Sequence, residues 1–138
     1  MILVPAFGRG PDLRERIRLA ADGRPVAYEV SGSSTMGAEV RERFTLADGR
    51  ARWQSRVDEG DMPAGDDFVF VPMMASPAYV DVALRAMLAR PDGSGTTIGG
   101  VRLVAEQVAR LTLLAADGAP PLPLALVALT GADTNPWY

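Results

Sequence analysis

The chain has 138 residues, the size of one domain, with 48% hydrophobic and 22% charged residues, a balance that suits a soluble globular fold and excludes a disordered one. Its net charge of −3 lacks the basic excess of a general nucleic-acid binder. Histidine and cysteine are absent and every basic residue is arginine, which excludes disulfides, thiolate and imidazole metal sites, cysteine nucleophiles, histidine-based triads and lysine chemistry.

Residues 1–12 read as a loose N-terminal segment. The apolar run from Met1 to Phe7 has no basic region ahead of it and is too short for a secretory signal. No run of 18 apolar residues exists, so no membrane span is expected. The strongest local signal is Asp-Gly at hairpin spacing, at Asp22-Gly23, Asp48-Gly49 and Asp117-Gly118. Asp-Gly supplies the positive φ angles that tight hairpins need.

Period-two alternation supports strands on either side of the first two turns. Leu13, Ile17 and Leu19 oppose Arg14, Arg16 and Arg18. Val26, Tyr28 and Val30 follow. Val40, Phe44 and Leu46 oppose Arg41 and Arg43, and Ala51, Trp53 and Val57 oppose Arg50, Arg52 and Arg56. One face of the sheet is therefore buried and the other is wet and rich in arginine. Such a face could hold a polyanion or a carboxylate-rich partner; cross-strand pairing with interleaved acids is the plainer reading. Glu15 and Glu42 fall on the apolar side, which predicts that they sit near strand ends or a bulge.

The stretch from Asp58 to Asp67 carries Asp58, Glu59, Asp61, Asp66 and Asp67 with two glycines and a proline, and reads as an exposed loop. Its carboxylates lack the EF-hand spacing for calcium, and as a glycosidase-like pair they would need more rigid support than a loop gives. Phe68 to Val71 reads as a short buried strand. Ser76-Pro77 opens a helix over 78–90, with Ser76 as N-cap and Pro77 at the first position, and Pro91-Asp92-Gly93 ends it. Residues 93–100 read as a loop. Val101 to Ala115 is long enough for a bent strand or two strands, and Leu122 to Thr130, almost wholly apolar, reads as a central strand. The expected fold is α+β and mostly β: one curved antiparallel meander, half-barrel-like, of six to eight strands, with one helix on its concave face.

Three further features bear on function. Residues 31–37, rich in serine and glycine, match neither a phosphate-binding P-loop nor a nucleophile elbow and read as a strand connection. Trp53, Phe68, Phe70, Met73, Tyr79 and Met87 could line an apolar cavity between sheet and helix, although such residues more often fill a core. Trp137 and Tyr138 end the chain on two aromatics and are candidate partner-binding residues, as if a further strand followed in a longer protein.

Two stretches carry a resemblance. Gly8 to Leu13, Asp22 to Gly32 and Thr35 to Phe44 form one, and Leu129 to Pro136 the other. Together they resemble the non-catalytic β region ahead of the catalytic barrel in bacterial metal-dependent amidohydrolases, which are often exported. The resemblance implies an accessory β domain or subunit, periplasmic or exported, whose partner is a catalytic hydrolase chain or a second copy. The family's metal ligands lie on the downstream barrel and have no counterpart here, so no cofactor and no hydrolysis by this chain alone are expected. The alternative reading is a stand-alone periplasmic half-barrel that binds an apolar ligand such as an acyl chain.

Overall fold

The computed structural model describes residues 10–114, 118 and 120–131. It is mostly β, with eight strands and one α-helix among the described residues. Strands β1 (Asp12–Leu19), β2 (Pro25–Ser33), β3 (Glu39–Ala47), β4 (Arg50–Ser55) and β5 (Glu59–Pro63) form an antiparallel meander in sequence order. Helix α1 (Pro77–Leu88) follows. Strands β6 (Ser94–Thr96), β7 (Arg102–Leu113) and β8 (Leu122–Thr130) then form a second, separate antiparallel sheet. The single expected meander is thus two sheets. The last strands pair with one another and not with the first five, a non-local choice that period-two patterning does not encode.

The local signals act as their chemistry requires. Asp48 and Gly49 adopt φ of 52° and 68°, the two positive angles of a two-residue hairpin, between β3 and β4. Gly23 alone is positive in the β1–β2 turn, which closes through Gly23 N–H donating to the Ala20 carbonyl at 3.0 Å. Residues 34–38 link β2 to β3 as a turn in which Ser34 Oγ accepts from Ala38 N–H. Of the third Asp-Gly pair, Asp117 lies outside the described residues.

Helix α1 starts as its cap residues dictate. Ser76 is the N-cap, its Oγ accepts from Tyr79 N–H at 3.1 Å, and Pro77 occupies the first turn, where its missing N–H costs nothing. The helix stops at Leu88, two residues before the expected end. It packs against β7 and reaches β2 and β6, so it serves both sheets.

The buried face of the meander carries Tyr28, Val30, Phe44 and Ala51. Residues 68–71, expected as a buried strand, form only an isolated parallel bridge, Phe68 to Thr96, and Val71 is exposed while 68–70 are buried. Their alternation still divides them between two cores. Phe68 and Phe70 stack on Phe44, with ring centroids 5.8 and 4.4 Å away, while Val69 joins Met87, Leu103 and Ala105 on the other side. Tyr79 meets Tyr28 edge-on at 4.7 Å and donates its hydroxyl to the Phe70 carbonyl. Burying these aromatics supplies several kcal/mol in all, at about 1.5–3 kcal/mol per large apolar side chain.

Four expectations change here. Residues 59–63 are an edge strand and not a loop: Glu59 and Asp61 point to the wet face, opposite Gln54 and Arg52. Glu15 and Glu42 lie mid-strand, away from any end or bulge. Strand β8 is at the edge of its sheet, not at its centre. Val57 lies beyond the end of β4 and is exposed.

Candidate functional site

The residues expected to line an apolar cavity are mostly core. Phe68, Phe70, Tyr79 and Met87 are buried, Trp53 is half-buried, and Met73 is exposed. Of the six, Phe68, Phe70 and Tyr79 border a common space and Trp53, Met73 and Met87 do not. The gap between α1 and the meander, bounded by Phe68, Phe70, Tyr79 and Arg90 among others, holds about 10 Å³, no more than a water molecule. Trp137 and Tyr138 lie outside the described residues.

The acidic stretch is occupied by its own neighbours. Trp53 Nε1–H donates to Asp58 at 2.8 Å, and the Gln54 amide donates to Glu59. Arg50 Nε lies 2.7 Å and Arg52 Nε 3.4 Å from Asp61, whose pKa is held below the usual carboxylate value chiefly by the Arg50 hydrogen bond. Asp66 accepts from Arg24, and Asp67 from Thr96. Among the described residues no group of three or more acids is placed to hold a metal ion. The inward carboxylates are also engaged. Glu42 accepts from Met73 N–H, and Glu15 accepts from Ser76 N–H and Oγ–H. Burial raises the pKa of Glu42, partly offset by the N–H groups of Met73 and Met74. Each of these carboxylates is thus held by a neighbouring donor.

The arginine face does assemble. Cross-strand register places Arg14, Arg16 and Arg18 of β1, Arg41 and Arg43 of β3, and Arg50 and Arg52 of β4 on the wet side of the meander. Glu29, opposite Arg16 and Arg43, stands 3.8 Å from Arg16. Over β3, β4 and β5 this face forms an open trough of about 610 Å³, lined by Arg43, Thr45, Arg52, Gln54 and Asp61 among others.

A second surface was not legible as such in the sequence. In β7 the register shifts between Gln107 and Ala109, so Val108 is an extra residue and the strand's parity reverses. Before the bulge, Leu103 and Ala105 face α1 and are buried. Beyond it, Ala109, Leu111 and Leu113 stand opposite Leu126, Leu124 and Leu122, on the side of the sheet away from α1. These five leucines are 38–56% exposed and form one continuous face. The available signal was Pro123: proline within a strand belongs to an edge, because it cannot donate to a ladder.

Among the described residues no helix is long and apolar enough to cross a membrane. No protein-family model matches the sequence, and no curated protein or solved structure is significantly similar to it.

Proposed function

We propose that the chain is a non-catalytic β module that works by docking onto a larger protein through the β7–β8 hairpin. The observation that carries this reading is the leucine face formed by Leu111, Leu113, Leu122, Leu124 and Leu126. Together these residues expose roughly 450 Å², the size of the largest apolar patch on a typical monomer, which is often a functional one. Covering it yields about 11 kcal/mol at ~25 cal/mol per Å², comparable with the ~4–15 kcal/mol that association costs. Leucine contact alone therefore gives weak binding. The adjoining edge of β8 adds main-chain hydrogen bonds beyond Pro123, which has no N–H to give, and nothing charged lies within Leu122–Thr130 to oppose an incoming strand.

The sequence resemblance supplies the class of partner: the catalytic chain of a metal-dependent amidohydrolase, whose substrate access the module shapes. The test is capture of a tagged chain from its native host beside a Leu111→Arg, Leu124→Arg variant. A stoichiometric histidine-bearing metal hydrolase, captured by the parent and lost with the variant, supports the reading. A hydrolase retained by the variant removes the leucine face from it, and a parent that elutes alone as a monomer removes docking altogether.

A further inference from the structure

The meander has two outer strands, β1 and β5, and the acidic one shows how this sheet covers arginine. Strand β4 projects Arg50 and Arg52 to the wet face, and β5 lays Asp61 against both, with Glu59 opposite Gln54. At the far edge β1 repeats the arginine pattern of β4 with Arg14, Arg16 and Arg18. Its inner neighbour β2 offers them Ser31, Glu29 and Ala27 in that order. Only Arg16 meets a carboxylate, and at 3.8 Å between exposed side chains that pair is weak. Arg14 and Arg18 make no ion pair among the described residues, and no described strand pairs with the outer edge of β1.

We propose that the outer edge of β1 takes up an extended acidic segment of a partner protein as an added strand. Carboxylates at alternate residues of that segment stand beside Arg14, Arg16 and Arg18, as Asp61 stands beside Arg52. The spacing follows from strand geometry: alternate side chains repeat every ~6.8 Å on both partners, so three pairs form in register. The opposite side of β1 defines the intervening residues. Between the arginines stand Glu15, whose carboxylate is already taken by Ser76, and Ile17, which packs with Leu13 on the meander's core, so uncharged, apolar residues between the acids extend that core. The partner motif is thus acid and apolar residue in alternation, and main-chain hydrogen bonds to the edge add affinity without regard to sequence. Nucleic acid fits the same face less well, because Asp12, Glu29, Glu39, Glu59 and Asp61 share it and repel a continuous phosphate chain.

The site is on a different sheet from the leucine face, so the two readings fail independently. The test uses the whole chain and a fluorescent nine-residue peptide alternating Glu or Asp with Val, read by anisotropy at low salt. Controls are a peptide of the same composition with its acids in one block, and the alternating peptide with a central proline. The expected result is at least tenfold tighter binding of the alternating peptide than of either control, a loss of at least tenfold in the R14Q/R16Q/R18Q variant, and no change in Arg110→Gln on the second sheet. Slowed amide exchange within β1 on binding marks strand addition. Equal binding of the alternating and block peptides, indifference to the triple variant, no binding, or tighter binding of a single-stranded oligonucleotide of equal charge would each overturn the proposal. The peptide controls act on the parent chain, so the result does not depend on how the variant folds.

Discussion

Glu15 and Glu42 stand opposite Val30 from its two sides, Glu15 on β1 and Glu42 on β3, so one row of the buried sheet face carries two carboxyl groups. Acids there look misplaced until their partners are followed. The chain returning from the two cores toward α1 presents the N–H groups of Met73 and Ser76, and the two carboxyls accept from them. Tyr28, next in the row pattern, donates its hydroxyl to the Met74 carbonyl. The sheet thus holds residues 73–76 by polar contacts, and these set the position of the Ser76 cap and of the helix. Burial and these neighbouring acids also raise the pKa of Tyr28 well above the usual phenol range.

This arrangement makes stability depend on pH through Glu42. Its pKa is raised in the folded state from an ordinary value of 4.5, chiefly by burial. A raised carboxyl binds its proton more tightly folded than unfolded. Its contribution is therefore fully present below the unfolded value and is lost as pH rises through the folded value. Glu42→Gln keeps an acceptor for Met73 and cannot ionise. The variant should match the parent near pH 4 and exceed it at pH 8 in urea denaturation. The difference between the two proteins is the quantity to read, because Asp61 and Asp92, with lowered pKa values, lose their stabilising contribution as pH falls. A parent that gains on the variant as pH rises would contradict the assignment.

Ser76 serves the helix and the sheet together. Its Oγ accepts from Tyr79 N–H and donates to Glu15. Ser76→Ala should cost about 1–2 kcal/mol, at the upper end for an N-cap, since it also leaves Glu15 short of a donor. Ser76→Asp, an equally good cap by itself, should recover little, because its carboxylate faces that of Glu15. Urea midpoints of the three proteins check both statements. Full recovery by aspartate would show that the cap acts without the Glu15 contact.

Gly60 is required by a side chain on the neighbouring strand. It stands opposite Trp53, whose ring lies over it so closely that a Cβ there would overlap the indole. Gly60→Ala must displace Trp53 and its hydrogen bond to Asp58. The expected cost is about 1–3 kcal/mol, the range for overpacking. In a Trp137→Phe background the Trp53 emission should shift as the Asp58 bond breaks, and an unchanged spectrum would count against the packing.

These residues show which parts of the fold the sequence carried. Asp48-Gly49 and Ser76-Pro77 were legible because their chemistry is local: a turn needing positive φ, and a cap closing one helical turn. The arginine face was legible because period two is itself a statement about faces. Strand β5 was hidden because Gly60 looks like a loop glycine until Trp53 is placed above it. Glu15 and Glu42 look like strand-end residues in the sequence because their partners lie 61 and 31 residues away. The split into two sheets and the reversal at Val108 depend on long-range register, which strand-by-strand patterning leaves open.

The reversal at Val108 leads to the last prediction. Without the extra residue, the odd-numbered positions of β7 would stay on the side of Leu103 and Ala105, facing α1, and β8 would shift its pairing by one. With it, Leu111 and Leu124 are paired on the open side, where they add little to the monomer. Leu124→Glu should therefore change unfolding free energy by no more than about 0.5 kcal/mol, as for a surface site. It should also reduce binding of a hydrophobic dye and lower any concentration-dependent association of the purified chain. Leu103→Glu, before the bulge on the same hairpin, should instead unfold the second core, because it places a carboxylate beside Met87 and Val69. Equal damage from the two substitutions would mean that the leucine face is packed within the monomer, and the docking surface would have to be sought elsewhere.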